Sequence, residues 1–350
     1  MTKAMIKELL SERNLPPLGS RSEMLDILLK EEYGYLPAAP EKLSWTPRNL
    51  NDPCFCAGKA TLNILDMTVT VNGTDFTWPV YVVIPTAPGP HPFFIHINFR
   101  DNVPDQYMPT EELVDRGFAV LSFCYNDVTR DNNDFTDGLA GILYPDGKRG
   151  LTDGGKIAIW AWAAQRVMDY AQTVEKLDKK VAVVCGHSRL GKTALLAGVT
   201  DERFTYVFSN DSGCSGAAIS RGKVGETVAA ITQRFPYWFC EKYASYANSE
   251  DTMPFDQHYL TALVAPRKLY VASASLDEWA DPNSEYLSCF AASQAYEQLG
   301  LIGFVAADRL PAVGDCFHEG NIGYHMRPGM HYLGREDWNH LIDFIQKHEG

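Results

Sequence analysis

The chain has 350 residues, a hydrophobic fraction of 45% and a formal net charge of -13. This length and hydrophobic content predict a folded protein with a sizeable core and exclude global disorder. The acidic balance, with no basic stripe, excludes nucleic acid as the expected partner, and no apolar run approaches the roughly 18 residues of a membrane span.

The first half of the chain predicts two helices, a hairpin and then buried strands. Residues 1–35 carry two short helical patterns, and 1–55 as a whole form a helical and irregular lead-in, because prolines punctuate its second part. Asn72-Gly73 between two β-rich runs is a hairpin signal. Residues 125–153 are polar and predict a loop over the top of the sheet. The predicted elements are strands 60–71, 76–84, 93–97 and 117–124 and helices 111–116 and 156–174.

The second half alternates strands and helices around one long excursion. We expect strands 181–185, 205–209, 269–274 and 303–306, and helices 193–199, 282–299 and 340–347. Residues 210–266 have no strand pattern and are expected to cover part of the site. Alternation of this kind predicts a mostly parallel sheet with helices on both faces and, from the early hairpin, an antiparallel N-terminal edge. We expect one α/β domain over 1–350.

Eight cysteines in a chain of this length do not predict a disulfide framework, which is typical of short secreted proteins. Cys54-x-Cys56 has no second pair or nearby histidine, so we expect no metal site there. No nucleotide or metalloprotease motif predicts a cofactor. The amphipathic start lacks the apolar centre of a signal peptide. As the sequence stands we expect a cytoplasmic protein with reduced thiols, or a secreted or periplasmic one if an export signal was trimmed; the oligomeric state stays open.

One segment has the pattern of a nucleophile elbow. Gly186-His187-Ser188-Arg189-Leu190-Gly191-Lys192 lies between a buried strand and a helix, which is the context of G-x-S-x-G in α/β-hydrolases. The second glycine is one place late, at Gly191, and a serine in such a turn is commonly only a helix cap. Ser188 is therefore a candidate nucleophile that requires a base and an acid elsewhere.

The base and the acid are expected after Ser188 in the sequence, since α/β-hydrolases follow the order serine, acid, histidine. His331, in a Pro/Gly loop before the last helix, is the favoured base, and His325 is the rival. Asp277 follows strand 269–274 and is the favoured acid. Asp211 follows strand 205–209 and is the alternative, or a lesser partner near the cation of the elbow. Both acids are expected at the carboxyl edge of the sheet, where ligands bind in open α/β folds.

Arg189 occupies the first turn of the predicted helix, where the helix dipole favours anions rather than cations. We expect its guanidinium to meet an anion, which is a developing oxyanion, a uronic acid or, in the simpler interpretation, a nearby carboxylate.

With these residues placed, the chain resembles carbohydrate esterase family fifteen, the glucuronoyl esterases, in its bacterial branch. The resemblance covers about residues 20–348 and includes the shifted Gly191. It implies an α/β-hydrolase fold. The motifs that carry it are the elbow segment, Ser209-Asn210-Asp211-Ser212-Gly213-Cys214, Phe235-Pro236-Tyr237-Trp238-Phe239, Asp277-Glu278-Trp279-Ala280-Asp281-Pro282 and Arg327-Pro328-Gly329-x-His331.

The resemblance also implies roles for individual residues. Glutamate is common in the family at the position of Asp211, so the shorter aspartate keeps Asp277 as the favoured acid. The sequence pattern departs from the family around Glu241. The implied roles are nucleophile for Ser188, base for His331, oxyanion contact for Arg189, and sugar contacts for Lys192, Trp279 and Glu241.

The function that follows is a serine carboxylester hydrolase acting on plant cell-wall carbohydrate esters. The resemblance implies the ester between lignin alcohols and the 4-O-methyl-glucuronic acid of xylan. An acetylxylan esterase or related carbohydrate deacetylase is the alternative, and a non-catalytic carbohydrate-binding relative is the second. In each case the expected partner is a small or oligosaccharide ester.

Overall fold

The strands predicted from apolar runs lie together in one mixed sheet. The computed structural model describes residues 5–52 and 54–350. Within those ranges the strands are β1 (Lys42–Asp52), β2 (Ala60–Val71), β3 (Thr74–Pro85), β4 (His91–Asn98), β5 (Ala119–Cys124), β6 (Leu177–His187), β7 (Tyr206–Asn210), β8 (Lys268–Ala274), β9 (Cys316–Phe317) and β10 (Ile322–Arg327).

The sheet order is β1-β2-β3-β5-β4-β6-β7-β8-β10-β9. Strands β5, β4, β6, β7, β8 and β10 run parallel, whereas β1, β2 and β3 form the predicted antiparallel edge. The β2–β3 turn is tight because Asn72 and Gly73 both have positive φ, 49° and 70°, as a two-residue hairpin requires. The parallel strands end at one edge of the sheet, and that edge carries the candidate site.

Helices cover both faces of the sheet. They are α1 (Met5–Glu12), α2 (Arg21–Leu28), α3 (Thr110–Asp115), α4 (Tyr125–Val128), α5 (Gly138–Leu143), α6 (Lys156–Thr173), α7 (Arg189–Thr200), α8 (Val228–Arg234), α9 (His258–Ala262), α10 (Pro282–Gln298) and α11 (Arg335–Glu349). None of the described helices has the length and apolarity that a membrane span requires.

The core lies in two layers because side chains on β6 alternate between the faces of the sheet. Ala182 and Val184 pack in the layer that contains α6, α7 and α10. Val183 and Cys185 pack in the layer under α3 and α11. All eight cysteines are free thiols in this structure.

Four sequence predictions about elements were wrong. The irregular lead-in contains β1, which pairs only with β2, so Pro47 costs the sheet no interior hydrogen bond. Strand 303–306 is reduced to one bridge at Phe304, and β9 forms that edge instead. β10 was missed because Gly323 weakens its strand pattern; a Cβ there would lie 2.4 Å from the Tyr270 ring. The last helix begins five residues before the predicted start, at Arg335.

The two long connections at the carboxyl edge are irregular, as predicted. After Asn210, which ends β7, the predicted excursion 210–266 contains α8, α9 and short 3-10 turns but no further strand, and residues 125–153 contain α4 and α5. Both connections contribute side chains at or near the cavity at this edge, which is described below.

Candidate active site

Ser188 lies on a strained turn between β6 and α7. Its φ of 58° and ψ of -126° are a conformation that a residue with a side chain seldom adopts. The Ser188 N–H donates to the carbonyl of Asn210 at 2.9 Å, which fixes the turn to the end of β7. This is the sharp strand-to-helix turn expected of a nucleophile elbow.

The glycines of the elbow are explained by close backbone approach. A Cβ on Gly186 would lie 2.2 Å from the carbonyl oxygen of Leu190. A Cβ on Gly191 would lie 3.1 Å from both the Asn210 carbonyl and the Ser212 Cβ. Leu190, between them, is fully buried in the core. The late second glycine therefore meets the same need for space, one residue further along the helix.

His331 and Asp277 form a direct hydrogen bond. The Nδ1 atom of His331 is 2.6 Å from Oδ2 of Asp277, and the His331 side chain is 42% exposed whereas that of Asp277 is 4% exposed. The His331 ring also lies 4.4 Å from the ring of His187, the residue before Ser188. Since Asp277 engages Nδ1, the Nε2 atom of His331 is the one free to act on a hydroxyl.

The electrostatics around Asp277 favour its carboxylate form. Burial would raise its pKa, but the hydrogen bond to His331 and the charge of that ring outweigh burial, so the pKa of Asp277 lies below its ordinary value. Burial, followed by the charge of the neighbouring His331, lowers the pKa of His187 to about 3. His187 is thus neutral beside the pair, with Nδ1 2.6 Å from Oδ1 of Asn210.

Asp211, the alternative acid, has a different set of partners. Its Oδ2 accepts from Nη2 of Arg327 at 3.2 Å and from the N–H of Tyr332 at 3.3 Å. Burial and then the charge of Glu285 raise the pKa of Asp211 well above its ordinary value. The cation that contacts Asp211 is Arg327, whereas Arg189, expected near Asp211, lines the same cavity and pairs with Asp131.

His325, the rival base, lies away from the cavity. It is fully buried on β10, with Nε2 2.9 Å from Oδ1 of Asp337 and Nδ1 3.0 Å from the hydroxyl of Tyr270. Both ring nitrogens are therefore occupied within the core.

One cavity of about 270 Å³ at the carboxyl edge brings most of the predicted residues together. It contains Ser188, Arg189, Lys192, Asp211, Asp277, Trp279 and His331.

Arg189 meets an anion, as its place on the helix predicted. Its guanidinium forms an ion pair with Asp131 and lies 4.8 Å from the Trp238 ring. Asp131 also accepts from Trp238 Nε1 at 2.6 Å and from the Tyr125 hydroxyl at 3.1 Å. The loop 125–153 thus holds both the arginine and the tryptophan against the cavity, through a carboxylate that sequence analysis did not identify.

Lys192 is buried and lines the same cavity. It donates to the carbonyl of Ser212, and its Nζ lies 3.7 Å from Oε2 of Glu226. The N–H of Glu226 donates to the carbonyl of Trp279 at 2.9 Å. The Trp279 side chain is half exposed at the rim. A cation, a carboxylate and an indole therefore line one wall.

Glu241, which the resemblance implied as a sugar contact, is not among the described residues that line this cavity. It lines a separate cavity of about 260 Å³ with Arg149 and Phe239, at the start of the 3-10 turn Glu241–Tyr246. Glu226 is the glutamate among the described residues that line the active-site cavity, and Arg234 and Trp238 are further lining residues without a predicted role. Trp238 lies in a motif of the resemblance, which was the available signal; Glu226 and Arg234 lie in an aperiodic stretch that offered none.

Asp211, Asp277 and His331 each offer an oxygen or nitrogen within 4.8 Å of the others. A carboxylate and imidazole set could hold a divalent cation. In this arrangement the His331 nitrogen and an Asp277 oxygen bond to each other instead.

Comparison with known proteins identifies the family. The sequence profile described as "Glucuronyl esterase, fungi" matches residues 67–300. The chain belongs to the glucuronoyl esterase family. Carbohydrate esterase MZ0003, from an unknown prokaryotic organism, is 40% identical over 240 residues, which are 68% of this chain and 55% of that protein. The 4-O-methyl-glucuronoyl methylesterase of Hypocrea jecorina is 28% identical over 86% of this chain and 62% of its own length.

Solved members of the family share the fold. A glucuronoyl esterase from Solibacter usitatus superposes with a TM-score of 0.84 at 32% identity, over 94% of this chain and 92% of that one. This confirms the predicted α/β-hydrolase fold. The chain spans less than two thirds of the length of the two curated relatives above, so the activity and substrate of this family member are argued from its own site.

Proposed function

We propose that this chain is a serine carboxylester hydrolase whose substrate is an ester of 4-O-methyl-glucuronic acid. The observation that carries the proposal is the 2.6 Å hydrogen bond between His331 and Asp277 in the cavity that contains Ser188 on its strained turn. A serine hydroxyl needs an oriented base to act as a nucleophile, and this arrangement supplies one.

The chemistry proceeds in two halves. His331 Nε2 takes the Ser188 proton as the hydroxyl attacks the ester carbonyl, and returns it to the departing alcohol, which leaves an acyl group on Ser188. Water, activated by the same imidazole, then releases the acid. Asp277 fixes the tautomer of His331 and stabilises the imidazolium that forms in each half.

The oxyanion falls near the start of α7. The first N–H groups of a helix have no partner within that helix, so the N–H of Arg189 is available as a donor. The guanidinium of Arg189, held by Asp131, adds positive charge at the same end. Preorganised donors of this kind stabilise the transition state more than the ground state.

The cavity residues outside the triad favour a sugar acid as the acyl group. Lys192 and Glu226 present a buried donor and a buried acceptor 3.7 Å apart, which suits adjacent hydroxyls, and Trp279 offers an apolar face at the rim. Relatives are named 4-O-methyl-glucuronoyl methylesterase, which agrees with a uronic acid in this place. The alcohol would leave toward solvent.

Acetylated carbohydrate is the second candidate substrate. A solved relative that is 31% identical, with a TM-score of 0.83 over 94% of this chain and 91% of its own, is described as a promiscuous esterase. An acetyl group, however, has no hydroxyls for Lys192 and Glu226 to bind, so the wall would give acetyl esters no added affinity.

The test compares initial rates on benzyl glucuronate and on an acetylated xylo-oligosaccharide. We expect the glucuronate ester to have the higher kcat/KM and Ser188→Ala to lose kcat by on the order of 10⁴–10⁶. Glu226→Gln should raise KM for the glucuronate ester, and Glu241→Gln, in the separate cavity, is the matched control and should not. Faster turnover of the acetyl ester, with no effect of Glu226→Gln, would replace the proposal with the deacetylase.

A further inference from the structure

A second cluster of reactive side chains lies between the edge strand β9 and the last helix, α11. Cys316 is on the edge strand β9, His318 follows that strand, and His340 lies on α11. The Sγ atom of Cys316 is 3.1 Å from Nε2 of His318 and 3.5 Å from Nδ1 of His340. The described residues that line the active-site cavity do not include these three.

The three atoms have the spacing of ligands around one metal ion. They all lie within 4.8 Å of one another. Tetrahedral zinc, with bonds of about 2.3 Å to sulfur and about 2.0 Å to nitrogen, places neighbouring sulfur and nitrogen ligands roughly 3.5 Å apart. Thiolate sulfur and imidazole nitrogen are both zinc ligands, and a site with three protein ligands leaves a fourth position for water, which the exposure of Cys316 allows.

The surroundings orient the two imidazoles. Nε2 of His340 lies 3.9 Å from Oε1 of Glu336, one turn earlier on α11, which is beyond hydrogen-bond distance but puts a carboxylate on the side of the ring where metal-bound histidines commonly have one. The Tyr270 hydroxyl lies 2.8 Å from Nε2 of His318 and 3.0 Å from Nδ1 of His325. When a metal takes the His318 nitrogen, the tyrosine keeps its bond to His325.

We propose that Cys316, His318 and His340 bind a divalent transition-metal ion of the zinc class and that the ion joins β9 to α11. The Cys316 thiol gives up its proton to solvent as the metal–sulfur bond forms, so the step needs no other reactant. Sequence analysis missed this set because His340 is distant in the chain and Cys316-x-His318 alone is a weak pattern.

The test uses the full reduced chain after metal removal, titrated with Co²⁺ and then with Zn²⁺. We expect a thiolate-to-cobalt charge-transfer absorption that Zn²⁺ abolishes by displacement. Cys316→Ser should lose the band, and His318→Ala and His340→Ala should weaken Co²⁺ binding by more than the about 10–100-fold typical of outer-sphere changes. Cys54→Ser, at another exposed thiol, is the matched control and should keep the band.

A second measurement uses the unaltered protein, so that poor folding of a variant cannot decide the result. Zn²⁺ should slow alkylation of Cys316 by iodoacetamide, followed by mass spectrometry, while Cys54 reacts at an unchanged rate. No cobalt band in the wild type, a band that survives Cys316→Ser, or equal alkylation of Cys316 with and without Zn²⁺ would overturn the proposal.

Discussion

The two carboxyls next to His331 differ in the form that their surroundings favour. The bond to His331 draws the pKa of Asp277 below its ordinary value against the effect of burial. Burial and the charge of Glu285 raise that of Asp211, and Arg327 and the Tyr332 N–H already occupy one of its oxygens. An ionised acid is needed to stabilise an imidazolium, so Asp277 is suited to that role and Asp211 to holding the loop around His331.

We expect Asp277→Asn to lower kcat by about 10⁴, because the amide no longer fixes the tautomer or stabilises the imidazolium. Asp211→Asn should cost far less, since its partners are structural. The measurement is kcat for both single variants and the double variant on one activated ester. Equal losses of kcat in the two single variants, with full loss of activity only in the double variant, would indicate that both carboxyls act on His331. Full activity in Asp277→Asn together with loss of activity in Asp211→Asn would contradict the assignment.

Individual site residues could be predicted from the sequence where a motif or the end of a strand determines their place. Ser188, Asp277 and His331 follow β6, β8 and β10, and the parallel sheet brings those three ends together. The resemblance implied Glu241, and sequence analysis did not consider Glu226, because residues 210–266 have no periodicity that places a side chain. Tertiary contacts alone, such as the bond of the Glu226 N–H to the Trp279 carbonyl, bring Glu226 to the wall.

At the junction of β6 and α7, the backbone of the strand and that of the helix lie too close together to admit a side chain at Gly186. The strained Ser188 backbone persists because the Asn210 carbonyl holds its N–H and because Gly186 lets the first turn of α7 approach the strand. The sequence predicted this junction well, since strand, glycine-flanked serine and helix are contiguous. It did not predict β1 or β10. Pro47 argues against a strand unless the strand lies at a sheet edge, and Gly323 weakens a strand pattern unless a neighbouring ring packs against the backbone. Both conditions depend on the assembled sheet.

We expect Gly186→Ala to reduce activity by about 100-fold through displacement of Ser188, since a shift of about 1 Å in a reacting group costs that much. It should also destabilise the fold by roughly 1–3 kcal/mol, the usual cost of overpacking. Gly19→Ala is the matched control, because its Cβ would have only an ordinary contact at 3.4 Å. The test is to measure kcat and urea unfolding for both variants. Wild-type activity in Gly186→Ala would show that the close approach of the Leu190 carbonyl to Gly186 does not hold the elbow in place.

Over the whole molecule, a buried carboxyl links the N-terminal segment to the long excursion. Glu32 follows α2 and is fully buried. Both of its carboxyl oxygens accept from Nε2 of Gln257 at 3.0 Å, and its carbonyl accepts from the N–H of Cys240 at 2.9 Å. Burial raises the pKa of Glu32 to about 8 despite those hydrogen bonds. The folded protein therefore keeps this group protonated at a pH where the unfolded chain has released the proton.

This carboxyl makes stability fall as pH rises. Because the folded pKa is the higher one, the contribution of Glu32 is fully present below its unfolded pKa and is lost as pH rises toward about 8. We expect the free energy of unfolding of wild type minus that of Glu32→Gln to fall by on the order of 1 kcal/mol per pH unit between pH 5 and 8. Urea unfolding of both proteins across that range measures it. A difference that does not change with pH would mean that Glu32 ionises alike in both states.

The central claim, that Ser188 is a nucleophile activated by His331, separates a hydrolase from a carbohydrate-binding relative that has only kept the fold. Covalent labelling by a fluorophosphonate tests it most directly, because the probe reacts with a serine only when a base activates it. We predict rapid, single-site labelling that peptide mass spectrometry assigns to Ser188, much slower labelling of His331→Ala, and none of Ser188→Ala. Wild-type protein that stays unlabelled, or that is labelled at another serine, would contradict the account.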